Sequence, residues 1–181
     1  MRVWTMRTPA GWVGAARTGN GLAALTLPVP SAEESIKHLS GLGVAGGYVM
    51  APPGAGDELA GLEEALNRYY NGERTEFEFP VDWSVYSSFQ QKVLRVVHGI
   101  GYGSLLSYGQ VAALAGYPRA ARAVGGALGS NRMLLVIPCH RVIRGDGSLG
   151  GFGGRPEWKR RLLATEGLVP GPDGRYPLCE I

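Results

Sequence analysis

Cysteine is scarce in this sequence, which has two among 181 residues, Cys139 and Cys179. Two cysteines without a ligand-like spacing exclude a disulfide framework and a cysteine-built metal site, and no cofactor motif is visible. We therefore expect neither a metal nor a cofactor. One of the two thiols remains available for chemistry.

Long apolar runs are also missing from the chain. No stretch approaches the length needed to cross a bilayer, so we expect no membrane-spanning segment. The first residues lack the basic start, apolar run and small-residue cleavage site of a secretory signal. The expected compartment is the cytoplasm, where thiols stay reduced.

The net charge is small, at +3, but it is unevenly distributed. Residues 1–82 carry 6 Lys and Arg against 10 Asp and Glu, whereas residues 83–181 carry 12 against 5. The halves are therefore −4 and +7. A basic half favours a polyanionic partner, with nucleic acid the first candidate and an anionic membrane the second. Arginines scattered over the surface are the alternative.

The first half has the pattern of a small α/β unit. Short β-favouring pieces alternate with turn residues from Val3 to Leu27, which predicts a hairpin or small sheet. Helices are predicted over Ser31 to Leu39 and around Leu59 to Tyr70, where apolar residues share one face. Phe77 and Phe79 alternate with glutamates in a plausible short strand, followed by a domain boundary near Asp82.

The second half is predicted to be mainly helical. Ser87 with Gln90, and Ser107 with Gln110, have the spacing of capping boxes. The first opens a helix that runs to Ile100, and the second opens a short helix that ends at Gly116, with Val111 and Leu114 facing inward. Pro118 is expected in the first turn of another helix that runs to about Gly129. Two short helices joined in this way indicate a helix-turn-helix. A last helix is expected over Pro156 to Glu166, and a Pro- and Gly-rich tail follows it.

The helix after Pro118 is unusually rich in small residues between Arg119 and Leu128. Paired glycines weaken a helix by roughly 1 kcal/mol each, so another reason for them is needed. A helix clad in alanine and glycine is thin enough to enter the narrow minor groove of DNA. Close packing on another helix is the alternative.

Cys139 follows the apolar run Leu134 to Ile137, which we interpret as a buried strand that delivers the cysteine at its end. The polar residues His140 and Arg141 come next. A thiol is activated by nearby positive charge or by a base, so this pattern favours a reactive site over an inert core cysteine.

Residues 137–142, Ile-Pro-Cys-His-Arg-Val, resemble the active-site motif of the O6-alkylguanine-DNA alkyltransferases, also called methylated-DNA–protein-cysteine methyltransferases. The similarity covers most of the second half in family order and spacing, and it is looser in the first half. The other matching segments are residues 89–93, 107–112, 120–127, Asn131 and 150–167, with looser matches at residues 8–12 and 21–22.

This resemblance implies an α+β fold with three parts. They are a ribonuclease H-like α/β domain over residues 1–82, a mainly helical, winged helix-turn-helix-like domain over 83–168, and a tail over 169–181. It also implies a function: a single, irreversible transfer of an alkyl group from O6 of guanine in double-stranded DNA to the protein itself. O4-alkylthymine is a further candidate substrate, and the protein is expected to act as a monomer.

The resemblance assigns the catalytic roles residue by residue. Cys139 corresponds to the alkyl acceptor, His140 to its water-linked base, and Glu166 to the carboxylate that holds this histidine. Adjacent side chains of an extended chain point to opposite sides, which makes a bridging water between Cys139 and His140 sensible. Asn131 matches the residue that ties the helix-turn-helix to the active-site strand. Tyr108 matches the tyrosine that donates toward guanine N3.

The remaining assignments concern DNA and the flipped base. Arg122 matches the arginine that enters the base stack through the minor groove after the base has been flipped out. The helix around it supplies the other DNA-binding candidates, which are Arg119, Ala120, Ala121, Ala123 and Gly125. The expected pocket wall consists of Leu128, Val142, Gly150, Phe152 and Gly153. The backbone carbonyls of Cys139 and Val142 are expected to accept from the amino group of the base.

Two pocket positions depart from better-known family members. Phe152 stands where a tyrosine is often found, and Gly153 stands where a serine can occur. Repair of methylguanine is expected to survive these changes, whereas tolerance of bulky adducts is in doubt.

Three other classes of protein compete with this interpretation. An alkyltransferase-like protein binds the lesion but carries Trp at the reactive position, and Cys139 argues against it. A stand-alone cysteine hydrolase needs an oxyanion hole and a route for water, and neither is evident in the sequence. A transcription regulator of the same family would carry an additional N-terminal metal-binding domain, and no cysteine precedes Cys139.

Overall fold

The computed structural model describes residues 1–44, 49–54, 56–153 and 155–179. The chain forms two compact units, and each is made of two separate stretches. Met1–Val85 with Arg132–Val136 forms the first, and Tyr86–Asn131 with Ile137–Ile181 forms the second. The change of unit after Val85 lies close to the boundary expected near Asp82. The chain nevertheless returns to the first unit at Arg132–Val136, and the expected tail belongs to the second unit.

A four-stranded sheet forms the framework of the first unit. Its strands, in chain order, are β1 (Arg2–Thr8), β2 (Gly11–Thr18), β3 (Gly21–Leu25) and β4 (Val49–Met50). Their order across the sheet is β3-β2-β1-β4, with β1 to β3 antiparallel and β4 parallel to β1. The sheet predicted between Val3 and Leu27 is confirmed.

Two α-helices and a 3₁₀ turn at Trp83–Val85 are the other described elements of this unit. The helices are α1 (Ala32–Gly41) and α2 (Leu62–Tyr70). Helix α1 starts after Ser31, whose hydroxyl accepts from the Glu34 amide at 3.2 Å, and this hydrogen bond caps the helix. Both predicted helices are confirmed.

The strand predicted at Phe77 and Phe79 is wrong. In place of a strand, the segment around these phenylalanines ends in a single β-bridge between Leu22 and Val81. The Leu22 amide donates to the Pro80 carbonyl at 2.8 Å, but proline has no N–H with which to continue a ladder. Phe77 is buried by packing its ring against Tyr69, with centroids 5.4 Å apart.

The described elements of the second unit are four helices, two short strands that pair in parallel, and a 3₁₀ turn. They are α3 (Ser88–His98), β5 (Leu106–Ser107), α4 (Tyr108–Leu114), α5 (Ala121–Gly129), the 3₁₀ turn Cys139–Arg141, β6 (Val142–Ile143) and α6 (Pro156–Thr165). Both capping boxes are present at the starts of α3 and α4, as the sequence predicts.

Two details of the predicted helix pair are wrong. Helix α5 begins at Ala121 rather than at Pro118, because the Ala120 amide donates to the Tyr117 carbonyl and closes a separate turn first. Leu114 is 54% exposed and does not face inward. The buried side of α4 is centred between Val111 and Ala112, and at about 100° per residue Leu114 lies roughly 110° from that centre.

The strand predicted before Cys139 is also wrong. Met133 forms a single bridge with Leu25, and Leu135 then adopts a φ of +71°, which ends any extended conformation. The Arg141 amide donates to the Pro138 carbonyl at 2.9 Å in the 3₁₀ turn that follows. A tight turn, rather than the end of a strand, therefore presents Cys139.

Two kinds of feature are absent from the part of the chain that the structure describes. None of its helices is long and apolar enough to span a membrane. Within the same residues, no three His, Cys, Asp or Glu side chains are grouped so that they could hold a metal ion.

Candidate active site

Cys139 is a free, buried cysteine, with 7% of its surface exposed. Its sulfur accepts a hydrogen bond from Nδ2 of Asn131 at 3.1 Å. The same nitrogen donates to the Ile137 carbonyl at 2.8 Å, and the Tyr86 hydroxyl donates to Oδ1 of Asn131 at 3.3 Å. Asn131 follows the end of α5 and therefore joins that helix to the turn that carries the thiol.

His140, the residue after Cys139, forms a buried pair with Glu166. Nε2 of His140 lies 2.7 Å from Oε1 of Glu166, and the two side chains are 1% and 0% exposed. Glu166 is the residue directly after α6, and its Oε2 also accepts from the Gly103 amide at 3.1 Å. A carboxylate on Nε2 fixes the proton there, which leaves Nδ1 of the ring as the acceptor.

Arg141 completes this buried cluster. The sequence predicted it only as a positive charge near Cys139, whereas in the structure it pairs with Glu166. Its Nε donates to Oε2 of Glu166 at 2.9 Å, and its Nη2 donates to Oε1 at 3.0 Å. The two residues therefore form a bidentate salt bridge. Arg141 also donates to the Ile100 carbonyl. Arg141 directly follows His140 in the sequence, but Glu166 lies 25 residues further along the chain, and no sequence pattern predicted that the two would pair.

The electrostatics of the cluster separate a neutral base from a charged carboxylate. Burial lowers the pKa of His140, against the opposing effect of Glu166. Burial alone would raise the pKa of Glu166, but the hydrogen bonds and charges of His140 and Arg141 outweigh it and lower this pKa to about 2. At neutral pH the site therefore holds a neutral imidazole, and Arg141 is the cation that balances Glu166.

The thiol itself is protonated at rest. Burial raises the pKa of Cys139, whereas the hydrogen bond from Asn131 and the charge of Lys159 act in the opposite direction. A protonated thiol is a weak nucleophile and needs a base to take its proton. The neutral imidazole of His140 is chemically suited to do so.

Lys159 was not identified from the sequence, although it is completely buried. Its Nζ donates to the Val142 carbonyl at 2.6 Å and lies 5.8 Å from the centre of the Tyr108 ring. Burial lowers its pKa to about 8, against an opposing effect from Cys139. The burial of Lys159 could have been predicted from the sequence, because it precedes Leu162 and Leu163 by one helical turn and so lies on the buried face of α6.

Tyr108 and Gly150 meet at the edge of this site. A Cβ added to Gly150 would lie 2.9 Å from the Tyr108 hydroxyl, and the φ of Gly150 is +71°, so glycine is required on both counts. Burial raises the pKa of Tyr108, and the negative charge that Cys139 carries as a thiolate raises it further. The phenol therefore keeps its proton and is available as a donor.

The expected pocket wall is part buried and part open. Leu128 and Val142 are buried, Gly150 and Phe152 are half-buried, and Gly153 is exposed. The backbone carbonyls of Cys139 and Val142 were expected to accept from a base, but each already has a donor, the Val142 amide and Lys159 respectively. A carbonyl oxygen has a second lone pair, which still permits that role.

None of the candidate DNA-binding residues in or next to α5 is buried. Val124, Ala127 and Leu128 form the buried side of the helix. Arg122 is exposed and, at about 100° per residue, lies opposite this side. Ala121 and Ala123 are also exposed, Arg119 is exposed just before the helix, and Ala120 and Gly125 are half-buried. The structure thus separates these residues from the buried thiol cluster.

Comparisons with known proteins show what the whole chain is similar to. Residues 88–168 match the family model described as 6-O-methylguanine DNA methyltransferase, DNA binding domain. The methylated-DNA–protein-cysteine methyltransferase of Mycobacterium tuberculosis H37Rv is 38% identical over 162 residues, which are 90% of this chain and 90% of that protein. The protein of the same name from Mycolicibacterium paratuberculosis is 48% identical over 108 residues, which are 60% of this chain and 65% of that protein. The crystal structure of Mycobacterium tuberculosis OGT in complex with DNA aligns with a TM-score of 0.74 and 34% identity, and the alignment covers 92% of each chain.

Proposed function

Because the chain belongs to the family of methylated-DNA–protein-cysteine methyltransferases, which repair DNA by alkyl transfer, we propose that it moves the alkyl group of O6-alkylguanine onto Cys139, once and irreversibly. The observation that carries this proposal is the buried thiol of Cys139, which is held by Asn131 at 3.1 Å and is followed in the chain by His140, the partner of Glu166. Nucleophile, base and orienting carboxylate are thus present together.

The chemistry begins with the thiol proton, which passes to Nδ1 of His140 through a bridging water. The imidazolium that forms is stabilised by Glu166, a full carboxylate at neutral pH. The thiolate attacks the alkyl carbon, a carbon–sulfur bond forms, and the bond between that carbon and O6 breaks with its electron pair going to the base. Tyr108 donates its proton toward guanine N3, which makes guanine the better leaving group.

The product explains why the transfer occurs once. Cys139 becomes a thioether, which has no electrophilic carbonyl that water could attack, unlike the acyl intermediate of a hydrolase. Cys179 is exposed and is not one of the residues that contact Cys139 in this site, so we assign it no part in regeneration. The proposal therefore describes a stoichiometric reagent rather than a multiple-turnover catalyst.

DNA recognition is assigned to the helix pair α4 and α5, the proposed helix-turn-helix. The small residues of α5 allow it to enter the minor groove, and Arg122 fills the space of the flipped base. The +7 charge of residues 83–181 supports a phosphate-binding surface on this part of the chain. The pocket that receives the base is formed by the five wall residues named above, which are Leu128, Val142, Gly150, Phe152 and Gly153.

Several broader assignments belong to the same proposal. The sheet order β3-β2-β1-β4 with β4 parallel to β1 supports a ribonuclease H-like first domain, and the helix pair supports a winged helix-turn-helix-like second domain. Action as a monomer, with no membrane partner, is part of the same proposal. The two free thiols support a reducing compartment such as the cytoplasm.

The test is a titration of the protein with excess duplex that contains O6-methylguanine, followed by quantification of restored guanine and peptide mass analysis. We expect one equivalent of guanine per protein and a mass gain of one methyl group on the peptide that contains Cys139. Cys179→Ser is the matched control and should transfer normally. A yield clearly above one equivalent, or methylation elsewhere, would contradict the proposed mechanism.

A further inference from the structure

The segment that follows α6 is an ordered part of the second unit. We call residues 169–179 the C-terminal strap. The Gly171 amide donates to the Arg175 carbonyl at 2.8 Å, so the strap turns back on itself before Tyr176. Tyr176 is 6% exposed and packs in an apolar cluster with Leu105, Ile143 and Leu163. A segment of loose tail would not bury its aromatic side chain, so the strap has a fixed position.

One attachment of the strap is to the loop that follows β6. The Tyr176 amide donates to the Gly147 carbonyl at 2.9 Å. Gly147 lies in a tight turn in which Arg144 and Ser148 are hydrogen-bonded through their backbones at 2.8 Å. A Cβ on Gly147 would lie 3.0 Å from both Arg175 Cβ and the Tyr176 carbonyl, which shows how closely the two segments approach. The same loop continues directly to Gly150 in the proposed pocket wall.

The second attachment is to the start of α4. The Cys179 amide donates to the Leu105 carbonyl at 3.1 Å, just before β5. Nε2 of Gln110 donates to the Cys179 carbonyl at 2.8 Å. Gln110 is also the capping-box residue that fixes the first turn of α4, and that turn carries Tyr108. The strap is therefore bonded to both of the segments whose residues Tyr108 and Gly150 meet in the site.

From these contacts we propose that the C-terminal strap positions the substrate pocket, with Tyr176 as its main positioning residue. By holding Gly147 at one attachment and Gln110 at the other, the strap sets the spacing between Gly150 and Tyr108. That spacing fixes where the alkylated base lies relative to the thiol. The inference rests on the proposed function, because it concerns the pocket of that reaction.

The position of the base relative to the thiol determines the transfer rate, because a misplacement of reacting groups by about 1 Å can lower the rate by up to about a hundredfold. We expect Tyr176→Ala to slow single-turnover transfer from O6-methylguanine duplex by about tenfold or more. The loss should be larger for an O6-benzylguanine duplex, because a bulky adduct demands more of the wall. Affinity for unmodified duplex and alkylation of Cys139 by iodoacetamide should stay unchanged, because neither places an alkylated base in the pocket.

The conservative and control variants separate positioning from general damage to the fold. Tyr176→Phe keeps the ring that fills the cluster and should restore the rate. Val169→Ala changes a residue of the strap that is 66% exposed and should have no effect. If Tyr176→Ala does not fold, Cys179→Pro provides the same test at the other attachment, because proline removes the amide that donates to Leu105. Its matched control is Cys179→Ala, which loses the thiol but keeps that amide.

The outcomes are distinct. Transfer by Tyr176→Ala or Cys179→Pro at the wild-type rate would overturn the inference. A parallel loss of transfer and of iodoacetamide alkylation would also overturn it, because it would indicate general disruption around the thiol. Failure of the wild-type protein to transfer in the same assay would refute the proposed function itself, and the inference with it.

Discussion

Replacement of Glu166 by glutamine tests the buried cluster most directly. The carboxylate accepts from His140, Arg141 and the Gly103 amide, and it balances the charge of Arg141. Glutamine keeps one oxygen but turns an NH₂ group toward these donors. We therefore expect Glu166→Gln to be destabilised even though its shape is conserved.

The magnitude follows from the pKa of the carboxyl group. Its pKa falls from 4.5 to about 2 on folding, and each pKa unit corresponds to about 1.4 kcal/mol, which gives about 3 kcal/mol. Removal of one partner from a buried ion pair costs about 3–5 kcal/mol, which is consistent. Because the folded-state pKa is the lower one, this stabilisation is fully present above pH 4.5 and is lost as the pH falls through about 2.

The measurement is urea denaturation of the wild type and Glu166→Gln from pH 7 down to pH 3. The difference in unfolding free energy should be about 3 kcal/mol at pH 7 and should shrink below pH 4.5. Glu157→Gln is the matched control, because Glu157 is an exposed glutamate in the first turn of α6. A difference below about 1 kcal/mol at pH 7, the range of surface ion pairs, would refute this reasoning, and so would a difference independent of pH.

Three further predictions concern the transfer reaction. Cys139→Ala should abolish transfer but keep binding to alkylated duplex in a gel-shift assay, and residual transfer through Cys179 would contradict the assignment of the acceptor. Arg122→Ala should slow repair of duplex much more than reaction with free O6-benzylguanine, because the arginine acts only where there is a base stack, and equal losses would place it in the pocket or fold. Gly150→Ala should lower the transfer rate, because its Cβ would lie 2.9 Å from the Tyr108 hydroxyl at a φ of +71°. Gly151→Ala is the control, because a Cβ there has open space around it. Equal transfer rates for the two variants would show that the loop adjusts to the Cβ at Gly150.

The parts of the fold that were predictable depend on local chemistry. Ser87 with Gln90 and Ser107 with Gln110 place the starts of α3 and α4 because a capping box involves residues three apart. The apolar faces of α1 and α2 likewise repeat at the helical period. Such features need no knowledge of distant residues.

The wrong predictions concern features that depend on distant contacts or on the backbone angles of a single residue. An apolar run such as Leu134 to Ile137 suits a strand, but one left-handed residue, Leu135, ends it. Exposure of Leu114 depends on which side of a two-turn helix finds neighbours. The site shows the same limit, because Arg141 and Lys159 become members of it only through contacts with Glu166 and Val142 that span 25 and 17 residues.

The return of the chain to the first unit at Arg132–Val136 limits how this protein can be divided. The stretch lies between Asn131 and Cys139, so no single cut yields both units with their sequences intact. Met133, Leu135 and Val136 are each no more than 3% exposed, and Met133 pairs with Leu25 of β3. A fragment that starts at Tyr86 would carry these apolar side chains without the strand beside which they are buried. The two units are therefore not interchangeable modules, and recombination with a related protein would have to exchange β3 and this stretch together.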